Sequence, residues 1–312
     1  MGQRAWTLAS RRDDILPEGA RRRTRRRGTS LSVVAMAVVL VTVAVADFDG
    51  SEASTSAGQF LVQCLGPVMS KAIDPMTGAA SHNHEFYGSR AIGVTATHRD
   101  LRDAPSACAA PAHTGDEPGD TASYWAPTLY VSGVRLPVPK STFYYTGAGK
   151  RPPLTAWPAG LKVLAGDSKA TQPQPTSAVY WGCGDGSSVS KVTSPPQCRS
   201  GDTGLTVHVI FPDCWNGRDL DSPDHRSHLA YSRSGACPAG YPVSLPKLIA
   251  RFQWTNAGPN PATLSLSSGS VYTYHADFWN AWHQIRLVQL VDYCINGGRK
   301  CTYDDMDALP QP

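Results

Sequence analysis

LTVHVIFP, residues 205–212, is the stretch on which the fold turns. Leu205, Val207, Val209 and Phe211 alternate with Thr206, His208 and Ile210. That period of two belongs to a half-buried β-strand, whose successive side chains point to opposite faces. On either side of it, YWAPTLYV (124–131), LKVLAG (161–166), AVYWGC (178–183), LIARFQW (248–254) and ATLSLSS (262–268) are equally short and bounded by Gly, Pro or Asn. Their β-branched and aromatic content reads as strand too. One segment differs. In DFWNAWHQIRLVQLVDYCINGG (277–298), Phe278, Trp282, Ile285 and Val288 recur at helical spacing, Asp277 stands where a cap belongs, and Gly297 stands where a helix stops. The expected fold is mainly β: a single disulfide-bonded β-sandwich or jelly-roll-like domain with long loops and a late α-helix. PAHTGDEPGD (111–120) and GDSKATQPQPTS (166–177) read as surface loops.

With 312 residues and 41% apolar content the chain can bury a sizeable core. Its net charge of +4 is misleading, because the first thirty residues hold nine arginines against three acids. The remainder is slightly acidic and carries no electrostatic footprint for a polyanion, so a nucleic-acid partner is not expected. The arginines lead into LSVVAMAVVLVTVAVA (31–46), an apolar run ending in Ala44-Val45-Ala46. A basic segment, an apolar core and a small-x-small end are the parts of an export signal. Residues 1–30 are read as the basic cytoplasmic n-region, 31–46 as a signal peptide cleaved after Ala46 or a retained signal anchor, 47–58 as a flexible tether, and 59–312 as the exported domain. Either reading makes the domain secreted or extracytoplasmic. An uncleaved segment would tie it to the membrane.

All eight cysteines lie beyond the apolar run. An even number confined to the exported part fits disulfides made in an oxidising compartment. Pairing sequence neighbours gives Cys64 with Cys108, Cys183 with Cys198, Cys214 with Cys237, and Cys294 with Cys301.

Three polar clusters carry candidate chemistry: SHNHEFYG (81–88) with His82, His84 and Glu85; DSPDHRSH (221–228) with Asp221, Asp224, His225, Arg226 and His228; and the segment from His275, with Asp277 and His283. An HxH pair in a strand turns both imidazoles to one face, a common way to present two metal ligands. His225 and His228 converge only if their stretch makes a helical turn, which Pro223 would permit. Asp221 and Asp224 could orient imidazoles or bind Arg226, which could instead meet an anionic substituent. Asp277 reads as a helix cap. His98, His113 and His208 read as surface residues, and His283 as the exposed side of the helix. Trp125 and Trp215 are candidates for stacking on sugar, although most tryptophans are expected in the core. No GxSxG, HExxH or Gly-rich phosphate loop is present in the sequence.

The order SHNHEFYG, SYWAPTLY (123–130), PAGLKVLAGD (158–167), FPDCWNGRDLDSPDHRSHLAY (211–231), YPVSLPKL (241–248) and HADFWNAW (275–282) resembles the DUF1996 family, domain of unknown function 1996. The family occurs in secreted and surface proteins of fungi and actinobacteria, where fungal members are sometimes joined to WSC carbohydrate-binding modules. The resemblance runs from about Val62 to Cys294 and departs at Ala276 and Ala281, where glycines are usual. It implies an envelope or secreted protein and no particular reaction.

Two functions remain open. One is a hydrolase or lyase acting on cell-wall polysaccharide. Its catalytic candidates are His82, His84, His225, His228 and His275, its substrate-binding candidates Asp221, Asp224, Arg226, Asp277, Trp125 and Trp215. A divalent metal is a candidate cofactor, with His82, His84 and His228 as ligands. The other is a noncatalytic surface module that binds carbohydrate or metal.

Overall fold

The structure is a computed structural model, and it describes residues 58–109, 120–136, 140–184, 190–199, 202–255 and 260–310. The basic region, the apolar run and all but the last residue of the tether lie outside the described residues, as does His113. Among the described residues no helix is long and apolar enough to cross a membrane.

Strands, numbered in chain order, form four antiparallel sheets among the described residues. A six-stranded sheet has the order β10 (Val179–Cys183), β11 (Leu205–Ile210), β15 (Lys247–Trp254), β8 (Lys140–Thr146), β1 (Gln59–Leu65), β4 (Cys108–Ala109). A five-stranded sheet has the order β2 (Met69–Asp74), β3 (Ala79–Gly88), β5 (Ser123–Pro127), β17 (His275–Trp279), β9 (Lys162–Gly166). Two small sheets complete the set: β16 (Leu264–Leu266), β6 (Leu129–Val131), β7 (Val134–Leu136), and β13 (Leu229–Ala230), β12 (Cys214–Trp215), β14 (Val243–Ser244).

The alternation read in 205–212 decides which side chains meet. Leu205, Val207 and Val209 turn inward and are fully buried with Phe143, Ala250 and Phe252 of the same sheet. Facing them are Tyr87, Tyr124, Ala126, Val163, Ala165, Ala276 and Phe278 of the five-stranded sheet. Tyr124 stacks on Phe143 with ring centroids 3.6 Å apart, and Tyr87 meets Phe252 at 5.4 Å. The result is the expected mainly β architecture, two sheets packed face to face. Ala276 sits in a row of small residues beside Ala165, where its methyl group is accommodated. Ala281 is buried, and its carbonyl accepts a hydrogen bond from Thr121.

The disulfides are Cys64–Cys108, Cys183–Cys198, Cys214–Cys237 and Cys294–Cys301, the neighbour pairing expected. They place the folded part in an oxidising, extracytoplasmic setting.

The late helix is present but begins later than the sequence suggests. Residues 275–279 are strand β17, and α2 spans Gln284–Leu290 before a wider turn over Val291–Asn296. Asp277 is therefore not a cap. Its alternation with Ala276 and Phe278 is a strand period, enforced by hydrogen-bonded neighbours on both sides. The buried face of the helix is Leu287, Leu290, Val291, Cys294 and Ile295, while Ile285 and Val288 are exposed. His283 takes the N-cap position. Two other histidines also depart from expectation. His98 opens helix α1 (His98–Asp103) and is half-buried rather than on the surface, and His208 is buried and stacked on Tyr180. Burial, reinforced by Arg251 and Lys191, pushes the His208 pKa down to about 3.

Candidate functional site

The site lies on the outer face of the five-stranded sheet. On β3 the strand period sends His82, His84 and Phe86 to that face and Glu85 to the other, where Arg135 binds it through Nε at 2.7 Å and Nη2 at 2.5 Å. On β17 the same period exposes His275, Asp277 and Trp279 to the histidine side. Cross-strand registers place Phe86 beside Trp125, and Trp125 beside Asp277. A minor core of Met76, Phe86, Ile92, Leu101, Trp125 and Trp279 covers one end of this face and excludes water from it.

Three imidazoles converge there. His82 Nε2 is 3.3 Å from His275 Nε2, and His84 Nε2 is 3.4 Å from the same atom. His84 Nδ1 lies 2.8 Å from the Ile73 carbonyl, and His275 Nδ1 lies 2.8 Å from the Thr273 carbonyl. A carbonyl oxygen only accepts, so both Nδ1 atoms carry the proton, and in the neutral ring Nε2 is left bare. The rings are neutral at ordinary pH. Burial lowers the His84 pKa to about 4, with His82 adding to the effect, and burial lowers that of His275 to about 3, with His84 adding to it. His82 is also lowered by burial, against the charge of Asp74.

Two unprotonated nitrogens thus face each other at hydrogen-bond distance with no proton to share. A cation between them resolves the conflict. Nitrogens bound at ~2.0–2.1 Å to a tetrahedral zinc ion stand about 3.3–3.4 Å apart. The observed 3.3 and 3.4 Å separations fit that geometry, and imidazole sets suit zinc, copper, iron or nickel rather than calcium or magnesium. Asp277 Oδ2 stands 3.8 Å from His275 Nε2. It makes no hydrogen bond among the described residues, and burial raises its pKa well above the usual carboxylate range, with Asp74 adding to it. A buried carboxylate of this kind suits a fourth donor or a proton acceptor.

The backbone supports the placement. Gly166 pairs with His275 across β9 and β17, with φ at +80°, and a Cβ there would stand 2.8 Å from the Tyr274 carbonyl. Gln174 Nε2 donates to the carbonyls of Tyr272 and Tyr274 at 2.6 and 2.8 Å, tying down the start of β17.

The acidic-basic loop 221–228 runs along the free edge of β9. Leu164 N donates to the His225 carbonyl, and Lys162 N donates to the Leu220 carbonyl. The loop braces itself. Asp224 Oδ1 accepts from Ser222 Oγ, Ser227 Oγ and the backbone amides of Arg226 and Ser227, bonds led by the Ser227 amide that hold its pKa far below the ordinary carboxylate value. Asp224 thus braces the loop. His225, at φ +54°, sits in the left-handed region that few side chains adopt. Its Nδ1 meets Asp221 Oδ1 at 2.7 Å, which raises its pKa despite burial.

His228 does not join the imidazole cluster. Its two ring nitrogens are taken by Ser222 Oγ and the Lys162 carbonyl, both at 2.8 Å, and its side chain is buried against β9. It fastens the loop to the sheet edge, which removes it from both the ligand and the catalytic set. We expect His228→Gln to cost about 1–3 kcal/mol by denaturant unfolding, as for a buried hydrogen-bond pair disturbed, while leaving metal content unchanged.

The tryptophan candidates also move. Trp125 is fully buried beside Phe86 and presents no face to a sugar. Trp215 is half-buried, and its Nε1 donates to the Asp219 carbonyl at 2.7 Å, closing the 216–219 turn. Asp74 was not singled out from the sequence. Lying in a DPMTG turn, it caps that turn through Met76 N and Thr77 Oγ1, yet its charge reaches His82, His84, Asp277 and His225. The carbonyls of Ile73 and Thr273, which set the two tautomers, leave no mark in a sequence.

No curated protein and no solved structure matches the chain. Residues 72–282 match a family model, and that span contains both histidine-bearing strands, the 221–228 loop and β9. The chain therefore belongs to the family described as Domain of unknown function (DUF1996).

Proposed function

We propose that this extracytoplasmic protein is a metal-dependent enzyme of the cell envelope that cleaves wall polysaccharide, as a hydrolase or a lyase. The observation that carries the reading is the pair of bare Nε2 atoms of His84 and His275, 3.4 Å apart with His82 beside them. Three protein nitrogens leave a coordination position open, the mark of a catalytic rather than a purely structural centre. Bound there, a divalent ion supplies Lewis acidity at the scissile bond. His82, His84 and His275 would hold the ion. Asp277, buried and with a raised pKa, would take or return a proton. His225, oriented by Asp221, is the second proton carrier nearest the sheet edge.

A second reading is a noncatalytic surface module that sequesters metal. It is favoured by the burial of the aromatic side chains: Trp125, Trp157, Trp181, Trp254, Trp279 and Trp282 are each at most 5% exposed and form no platform for sugar.

Incubation of metal-loaded protein with wall fractions separates the two. The enzyme reading expects released oligosaccharide, seen as new reducing ends or as the ultraviolet absorbance of a new C=C bond, falling at least ~100-fold in His84→Ala. Full metal occupancy with no release from any fraction would favour the module.

A further inference from the structure

Resting on the polysaccharide reading above, we propose that the cavity at the edge of β9 is a subsite for an oxyanion carried by the polymer, with Arg226 as its receptor, and that the polymer is therefore anionic rather than neutral. The cavity measures about 230 Å³ and is lined by Leu164, Gly166, Gln174, Tyr231, Asp167 and Arg226, among others. This is below the ~300–1,000 Å³ typical of drug-sized ligands, a size for a subsite rather than for a whole ligand. It lies one strand away from the imidazole cluster, because Gly166 and Leu164 are the cross-strand partners of His275 and Asp277.

Arg226 is the reason to expect an anion. Its guanidinium makes no hydrogen bond or ion pair among the described residues, although two carboxylates share its loop. Asp221 Oδ1 accepts from His225 and the Ser222 amide, and Asp224 Oδ1 from the Ser222 and Ser227 hydroxyls and the backbone amides of residues 226 and 227, while neither carboxylate pairs with the Arg226 guanidinium. Five donors in a planar fork are thus left at the cavity without a partner among the described residues, the kind of group that recognises carboxylate or phosphate by two parallel bonds. The charge of Arg226 is also felt at His275 and Asp277, so an anion seated on it would lie beside the cluster. Lys162, whose Nζ lies 4.1 Å above the Trp279 ring, puts a second cation on the same side of the sheet. Asp167 also lines the cavity, but its Oδ1 accepts from the Lys169 amide, and it is suited to a sugar hydroxyl rather than to the anion.

The oxyanion could be a uronate carboxylate or a backbone phosphodiester, and titration calorimetry on the full exported protein tells them apart. The probes are trigalacturonate, a short glycerol-phosphate polymer and a neutral β-glucan oligosaccharide, each offered to wild type and to Arg226→Gln, with metal content measured on the same samples. The expected result is binding of one anionic probe at least ~10-fold tighter than the neutral glucan, the value of one lost charge-assisted pair, with that preference abolished in Arg226→Gln. Equal affinity for all three probes, binding of none, or a preference that survives the substitution overturns the inference. Wild type that prefers an anionic probe yet holds no metal would sink the metal-centred function and leave the anion subsite standing.

Discussion

Wild-type protein supplied with zinc is expected to hold about one ion per chain, and His275→Ala to weaken that binding by at least ~100-fold, the upper end of what is lost when only a supporting contact is removed. His275 is central because both short nitrogen separations, 3.3 and 3.4 Å, share its Nε2. Removing it leaves His82 and His84 without the third donor. Binding to the folded state alone also stabilises it, by about 4 kcal/mol when free metal is ~1,000 times Kd. For a domain of this size that is roughly a 10 °C rise in melting temperature. Wild type should show the rise in a thermal melt with and without chelator, and His275→Ala should not. His228→Gln serves as the control, since that side chain is engaged elsewhere.

The second large effect concerns Asp120, outside the metal cluster. This carboxyl is fully buried, and burial raises its pKa to about 8 in spite of hydrogen bonds from the Tyr124 hydroxyl at 2.9 Å and the Ala122 amide at 3.0 Å. The unfolded chain ionises it near pH ~4. Below that pH both states are protonated and the group takes nothing from stability. As pH rises toward 8 the unfolded state loses its proton while the folded state must keep it, so folding becomes steadily less favourable and the loss levels off once the folded group ionises. Asp120→Asn mimics the protonated form, offering the Tyr124 hydroxyl an N–H donor and the Ala122 amide a carbonyl. It should match wild type near pH 4 and exceed it by about 3 kcal/mol near pH 8, a discounted figure given ~1.4 kcal/mol per pKa unit. Urea titrations at the two pH values measure this. A variant less stable than wild type at pH 8 would show that the carboxylate is ionised in the fold.

How much of this was legible beforehand varies element by element. Period-two alternation in 205–211 identified β11 and the sandwich, because one face of that strand packs against a second sheet. The same alternation was present in His275 to Trp279, but a nearby helical spacing masked it. Phe278 and Trp282 satisfy both readings, and only the strands paired on each side decide. Cysteine neighbours paired as expected because short loops close cheaply. The HxH reading of His82 and His84 rested on the same alternation and placed both on one face. His275 stands with them among the catalytic candidates of the sequence, but the third imidazole of a ligand set is read there as His228; that His275, nearly two hundred residues away, takes that place is decided by sheet pairing alone. The 221–228 loop misled most. Its ionisable groups largely satisfy one another, and His228 faces the sheet edge, so density of charge in sequence marked a braced loop with a single cation, Arg226, left over.

X-ray absorption spectroscopy of the zinc-loaded protein addresses the shared-imidazole centre most directly. The expected first shell contains three imidazole nitrogens at ~2.0–2.1 Å, reduced in His84→Ala and His275→Ala. Zinc bound without imidazole ligands, or an unaltered shell in both variants, would contradict it.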